Sequence, residues 1–302
     1  MLSTKLIDTW LRSPIILGSG TICETKENII KAFQNGAGAA VTRTLRVDEK
    51  TRKPFKVRYY ATDCYMLNSD NTNATSWRKW CEWIEEIERF GKLIISISAR
   101  DVINSEIIVK AFEEKHPPTF YELNFSCSHS RKLYGRISYK NVTKSLEIIK
   151  ELSKRPVFLK LSLDNINLKK LKELESVELV DGYVLSNTIG PGMKIDVKKR
   201  KPFLDSVFGG VSGPAIKPLV LAKIFELKDK LKKPFIGVGG IECADDVLEY
   251  LLVGCEAVQI YTAAHRHGMK IFNTINEDLK KKLKEMNETI ESIKGTLKLE
   301  NG

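Results

Sequence analysis

Cys127 stands in a run of small polar and amide side chains, Leu123-Asn-Phe-Ser-Cys-Ser-His129. A thiol with a reference pKa near ~8.5 needs only modest tuning to act as a base close to neutrality. The alternative role of a cysteine, a small buried hydrophobe, suits Cys255 in its apolar surroundings. Asn68, Asn124 and Asn187 follow a second logic. Each amide offers donors and an acceptor, so three of them match a ring edge on which N–H and C=O groups alternate. Taken singly, each is an ordinary turn or cap residue. A third set is glycine-rich: Gly18-Ser19-Gly20, Gly209-Gly210-Val-Ser212-Gly213-Pro214 and Gly239-Gly240. Small residues let backbone N–H groups close on an anion, so these turns predict a phosphate-bearing cofactor.

Such residues need a frame that brings distant segments to one rim. Eight short β-branched runs alternate with amphipathic stretches, as expected of βα units around a parallel sheet. The runs are Pro14–Leu17, Ala39–Thr44, Leu93–Ser98, Tyr121–Asn124, Val157–Leu161, Gly182–Leu185, Phe235–Val238 and Ala257–Ile260. Helical periodicity is clear in Trp77, Trp80, Ile84 and Ile87, and in Val142, Leu146, Ile149 and Leu152. A last stripe, Phe272, Ile275, Leu279, Leu283, Met286, Ile290 and Ile293, predicts one long C-terminal helix. The fold class is therefore α/β, a (β/α)8 TIM barrel, and the chain reads as one domain over residues 1–302. Two long stretches, Leu45 to Thr75 and Ile189 to Ser212, follow strands two and six. They are expected as inserted loops or hairpins at the C-terminal face, where a barrel carries its chemistry. The ends of the strands at that face supply Thr42-Arg43-Thr44, Lys160, Thr188 and Tyr261-Thr262 besides the residues above.

Composition removes several classes. The chain has 302 residues, 42% of them hydrophobic, and a formal charge of +11. No window holds the roughly 20 consecutive apolar residues of a membrane span. The mixed segment Met1 to Arg12 lacks the basic end and apolar run of a leader, so a cytoplasmic location is expected. Basic residues are interleaved with acidic ones, as in Glu277-Asp-Leu-Lys-Lys-Lys-Leu-Lys-Glu285, which points to solvated helix faces rather than a nucleic-acid footprint. Six cysteines without a C-x-x-C pair argue against a zinc ribbon or an iron–sulfur cluster, and no metal site is expected.

These motifs together resemble the class 1 dihydroorotate dehydrogenases and the related flavin domain of dihydropyrimidine dehydrogenases. Leu123-Asn-Phe-Ser-Cys-Ser-His129 is similar to that family's N-x-S-C-P-N or N-x-S-C-P-H loop. The family's stretch after strand six is similar to Asn187-Thr188, Gly192-Met193-Lys-Ile-Asp196 and Arg200-Lys-Pro202. Gly209-Gly-Val-Ser-Gly-Pro-Ala-Ile-Lys-Pro218 matches nearly letter for letter, and Ile236-Gly-Val-Gly-Gly-Ile241 completes the phosphate side. The resemblance covers about residues 10 to 270 and is most specific from 182 to 262. It implies FMN over the barrel mouth, with Gly18, Ser19, Gly20, Arg43 and Lys160 near the ring and ribityl chain. It places Gly210, Ser212, Gly213, Gly239, Gly240, Tyr261 and Thr262 around the phosphate. Cys127 would be the base taking the C5 proton of dihydroorotate while the C6 hydride passes to flavin N5. Arg43, Asn68, Asn124, His129, Asn187 and Thr188 would hold the substrate. The implied activity is oxidation of dihydroorotate to orotate in pyrimidine biosynthesis, in a homo-oligomer. A separate iron–sulfur and FAD subunit is the implied electron partner.

The chain departs from the family at Arg43, where lysine is usual, at Tyr261, where glycine is usual, and at Ser128-His129. The loop after Asn68 also differs, and Asp70 within it would repel a substrate carboxylate. His129 matches the dihydropyrimidine dehydrogenase form, so a dehydrogenase of uracil-type rings is the nearest alternative. A tRNA-dihydrouridine synthase-like flavoenzyme and a non-catalytic ligand-binding barrel are further alternatives.

Overall fold

In the computed structural model, residues 2–47, 56–69, 75–125 and 137–299 are described. Eight parallel strands close into a barrel: β1 Ile15–Leu17, β2 Ala39–Val41, β3 Lys92–Ser98, β4 Phe120–Asn124, β5 Val157–Leu161, β6 Gly182–Leu185, β7 Phe235–Val238 and β8 Cys255–Ile260. They follow one another around the barrel in chain order, and β8 closes on β1 through Val258 opposite Ile15 and Ile260 opposite Leu17. Each expected run lies on one of these strands. Cys255 sits inside β8, fully buried, and burial pushes its thiol well above the usual range.

Several of the helices that cover the barrel start where a side chain satisfies open backbone N–H groups. Helix α1 (Lys26–Gln34) is capped by Thr25, whose oxygen accepts from Asn28 N at 3.3 Å. The next helices are α2 (Trp77–Glu88), α3 (Val102–Lys115), capped by Asp101, and α4 (Tyr139–Leu152), capped by Ser138. After α5 (Leu168–Ser176) come α6 (Lys217–Lys228), α7 (Ala244–Leu252) and α8 (Thr262–His267). Their apolar stripes pack on the outer face of the strands in one large cluster that includes Trp80, Ile84, Leu146, Ile149 and Phe272.

The expected single C-terminal helix is broken in two, α9 (Lys270–Met286) and α10 (Ile290–Ile293). Asn287 turns left-handed (φ 56°) and stops the first helix, and Thr289 caps the second by accepting from Ser292 N at 3.0 Å. The hydrophobic period survives the break because both pieces pack on the same barrel wall, so a stripe alone did not reveal it.

Inside the barrel the same face of each strand changes character with height. Ile94, Phe120, Phe158 and Ala257 belong to a dry lower layer, sealed below by Leu6 and Leu11 of the hairpin Thr4–Leu6/Thr9–Leu11. Two residues further along each strand stand Ser96, Glu122, Lys160 and Gln259, all buried. Period-two alternation thus stacks a polar layer on an apolar one and aims it at the C-terminal rim.

The two long stretches at that rim form the expected hairpins, and these join into one sheet. Ile189–Gly192, Gly209–Ser212, Met66–Asn68 and Tyr59–Ala61 pair in this order into a four-stranded antiparallel sheet. Gly210 faces Asn68 and Ser212 faces Met66 in its register. A shorter pair, Ile195–Asp196 with Lys201–Pro202, projects beyond it.

Candidate active site

Lys160 leaves β5 toward the barrel axis, its side chain only 6% exposed. Its ammonium donates to Gln259 Oε1 at 2.9 Å and lies 3.4 Å from Glu122 Oε1. Gln259 Nε2 in turn donates to Glu122 Oε2 at 2.8 Å. A cation buried this deeply requires such compensation, and the three side chains from β4, β5 and β8 provide it to one another. Gly18, at the end of β1, lies against this group; a Cβ there would stand 3.4 Å from both Cβ and Oε1 of Gln259.

Asn124 and Asn187 meet at the rim, where Asn187 Nδ2 donates to Asn124 Oδ1 at 3.2 Å. Asn124 Nδ2 donates to Thr44 Oγ1 at 2.9 Å, and Thr188 N donates to Asn187 Oδ1 at 2.8 Å. Two of the three expected amides and Thr188 are therefore brought together. The third, Asn68, lies on the rim sheet; its Oδ1 is buried and has no hydrogen-bond partner among the described residues. An acceptor buried without a donor is costly, and a ligand N–H would relieve it.

The residues expected around a phosphate form a second cluster. Thr262 Oγ1 donates to Ser212 Oγ at 3.0 Å, and a Cβ on Gly213 would be 3.5 Å from Thr262 Cγ2. Gly240 packs on the same turn: a Cβ there would be 2.9 Å from Gly213 O and 2.8 Å from Lys217 Cβ. With φ at +69°, position 240 admits little but glycine. Gly239 precedes it in the turn after β7, and Gly210 lies on the rim strand leading to Ser212. Behind this turn, Lys217 bonds Asp246 and Glu249. Burial alone would push the Asp246 carboxyl up, yet Lys217 and the N–H groups of Glu242 and Cys243 hold it below its usual range.

Gln259, Tyr261 and Thr262 connect the two clusters along one segment, with at most roughly 10 Å of chain between the first and the last. Closely packed small residues and a hydroxyl pair at one end, and a buried ammonium with rim amides at the other, fit a planar polar group carrying an anionic tail. The chemistry available is binding of a heterocycle edge by amides and of a phosphate by small residues. Among the described residues, no group of three or more His, Cys, Asp or Glu side chains is placed to hold a metal ion. No described helix is long and apolar enough to cross a membrane.

Two expected residues have local partners. Arg43 forms an ion pair with Glu24, so its guanidinium is engaged at the rim by a carboxylate of the chain itself. Tyr261 covers Gly20, whose Cβ would fall 2.0 Å from its ring, and its hydroxyl bonds Thr21 Oγ1 at 2.7 Å. Ser19 lies between Gly18 and Gly20 and is partly exposed. Cys127 and His129 lie outside the described residues. Of the other cysteines, Cys23 is buried, its thiol pushed up to about 12 by burial, and it donates to Gly18 O at 3.1 Å. Cys81 is likewise pushed up to about 11 by burial, so neither is poised as a base near neutrality.

Glu122, Gln259, Ser96 and Thr44 were not singled out as site residues from sequence. For Glu122 and Gln259 the signal was there: alternation in Phe120-Tyr-Glu-Leu-Asn124 turns Glu122 inward together with Asn124, and in Ala257-Val-Gln-Ile260 it turns Gln259 inward.

The chain is similar to known proteins over most of its length. A family model described as "Dihydroorotate dehydrogenase" matches residues 1–283. The chain is 34% identical over 284 residues to "Dihydroorotate dehydrogenase B (NAD(+)), catalytic subunit" of Archaeoglobus fulgidus, covering 92% of each chain. The protein of the same description from Thermoplasma acidophilum is 33% identical, over 91% of each chain. That from Methanocaldococcus jannaschii is 31% identical, over 98% of this chain and 97% of its own.

Proposed function

Because the chain belongs to the class 1 dihydroorotate dehydrogenase family, we propose that it oxidises dihydroorotate to orotate with bound FMN, acting throughout its 302 residues as one catalytic unit. The observation that carries this reading is the amide pair Asn124–Asn187 on the same rim as a compensated buried lysine. When bound, FMN supplies the hydride acceptor.

The chain's own residues do the rest. Gly213, Gly239, Gly240, Ser212 and Thr262 receive the phosphate, whose charge is met by short-range N–H and O–H donors. Lys160, held by Gln259 and Glu122, would meet the flavin ring. Asn124, Asn187 and Asn68 read the pyrimidine edge, with the buried Asn68 Oδ1 accepting one ring N–H. Cys127 takes the proton from C5 of the substrate. The electrons leave through a separate partner subunit; the relatives' description as catalytic subunits supports such a partner.

A second reading, a dehydrogenase of uncharged uracil-type rings, is favoured by the Arg43–Glu24 ion pair, which occupies the side chain expected to meet a substrate carboxylate. Flavin content and product binding separate the two. The purified protein is expected to hold one FMN, and orotate to perturb its absorbance where uracil does not. Perturbation by uracil alone gives the case to the second reading. Cys127→Ser is expected to retain FMN and orotate binding while losing most turnover near neutral pH; unchanged turnover removes Cys127 as the base.

A further inference from the structure

Glu122 is 0% exposed, at the centre of β4, and two arms of hydrogen bonds end on it. One arm begins at the rim. Asn187 Nδ2 donates to Asn124 Oδ1, Asn124 Nδ2 donates to Thr44 Oγ1, Thr44 and Ser96 hydroxyls lie 3.1 Å apart, and Ser96 Oγ donates to Glu122 Oε1 at 3.2 Å. A hydroxyl has one proton to give. Ser96 gives its proton to Glu122, so the Thr44–Ser96 bond is donated by Thr44. Every donor in this arm therefore points toward the carboxylate. The other arm is shorter: Gln259 Nε2 donates to Glu122 Oε2, which turns Gln259 Oε1 toward Lys160 Nζ at 2.9 Å.

We infer that Glu122 is a positioning residue that sets the donor–acceptor sense of both arms at once. Through Ser96 and Thr44 it fixes which end of Asn124 meets Asn187, whose own Oδ1 is held by Thr188 N–H. Through Gln259 and its own oxygen it fixes the place and the compensating charge of Lys160. The inference rests on the function proposed above, in which the amides meet the pyrimidine and Lys160 meets the flavin. It goes beyond that reading by assigning the orientation of both to one residue that touches neither ligand.

The physics is that a carboxylate accepts on both oxygens, whereas a glutamine in its place has one acceptor and one donor end. With its oxygen toward Ser96, its NH2 group faces Gln259 Nε2 and forces that amide to turn, so Lys160 loses an acceptor. With its oxygen toward Gln259, its NH2 group faces Ser96 and the rim arm reverses. Either arrangement breaks one arm, and both leave the Lys160 ammonium less compensated. An uncompensated buried cation favours added negative charge beside it.

The test uses the full chain loaded with FMN and reads three quantities: orotate Kd from flavin absorbance, the flavin midpoint potential, and Tm. Glu122→Gln is expected to weaken orotate about tenfold, the scale of one lost buried hydrogen bond, and to move the potential positive. Ser96→Ala cuts only the rim arm, and is expected to weaken orotate about fivefold with the potential unchanged. Gln259→Met cuts only the lysine arm, and is expected to move the potential with orotate affinity unchanged. These two variants decide the matter if Glu122→Gln does not fold. A fall in Tm with orotate affinity and potential both at wild-type values overturns the inference, as does Ser96→Ala moving the potential as far as Gln259→Met. A wild-type protein that takes up neither FMN nor orotate overturns the proposed function and this inference with it. Wild-type binding of both, with unresponsive variants, overturns only the assignment to Glu122.

Discussion

At the end proposed for the phosphate the chain works with backbone and small residues, whereas at the end proposed for the ring it works with a network of polar side chains on or just after β2, β3, β4, β5, β6 and β8. Gly240 occupies its place because no Cβ fits there: one would meet Lys217 and Gly213 within 3 Å. Lys160 occupies its place because Glu122 and Gln259 compensate it. The first kind of site tolerates no added atom; the second tolerates no lost partner. Substitutions at the two ends should therefore fail in different ways.

The largest effect is expected from Gly240→Val. Positive φ and a close backbone neighbour combine there, and FMN affinity should fall about a hundredfold or more, read by equilibrium dialysis. Orotate affinity of any fraction still loaded should stay near wild type, because the amide end is untouched. Asn124→Ala should do the reverse: orotate weakened ten- to fiftyfold, about 1.5–2.5 kcal/mol, with FMN retained. Simultaneous loss of both ligands in either variant would erase the distinction between the ends.

A smaller effect lies behind the phosphate turn. Asp246 has a folded-state pKa below its unfolded value, so its contribution is present above the unfolded pKa and is lost as pH falls through the folded one. Asp246→Asn should cost about 1–1.5 kcal/mol near neutrality, lower Tm by a few degrees, and flatten the acid side of the stability profile. An unchanged acid limb would show that the Lys217–Asp246 brace carries no stability. The smallest effect is expected on the exposed face of α9. Lys280→Ala removes a bond to Glu277 that is open to solvent and should shift stability by no more than about 0.5 kcal/mol in thermal unfolding.

The barrel was legible because each strand is a short apolar run and the helices read from Trp77, Trp80 and Val142, Leu146 repeat at 3.6, so these elements fall where expected. The glycine turns at Gly213 and Gly240 were legible for a related reason: a glycine required by local backbone geometry is visible as a letter. The ring end was legible only in part. Asn124, Asn187 and Lys160 stood out by type, but Glu122 and Gln259 derive their roles from partners on other strands, 26 to 137 residues away. The rim hairpins were expected, but their joining into one sheet escaped for the same reason, since Ser212 pairs with Met66, 146 residues away. The broken C-terminal helix was hidden because Asn287 interrupts the backbone without interrupting the apolar stripe.

Anaerobic addition of dihydroorotate to the purified flavoprotein, followed by dihydrouracil in a parallel sample, tests most directly what this rim recognises. A dihydroorotate dehydrogenase bleaches its flavin stoichiometrically with the first and leaves it yellow with the second. Bleaching by dihydrouracil alone, or by neither, would contradict it.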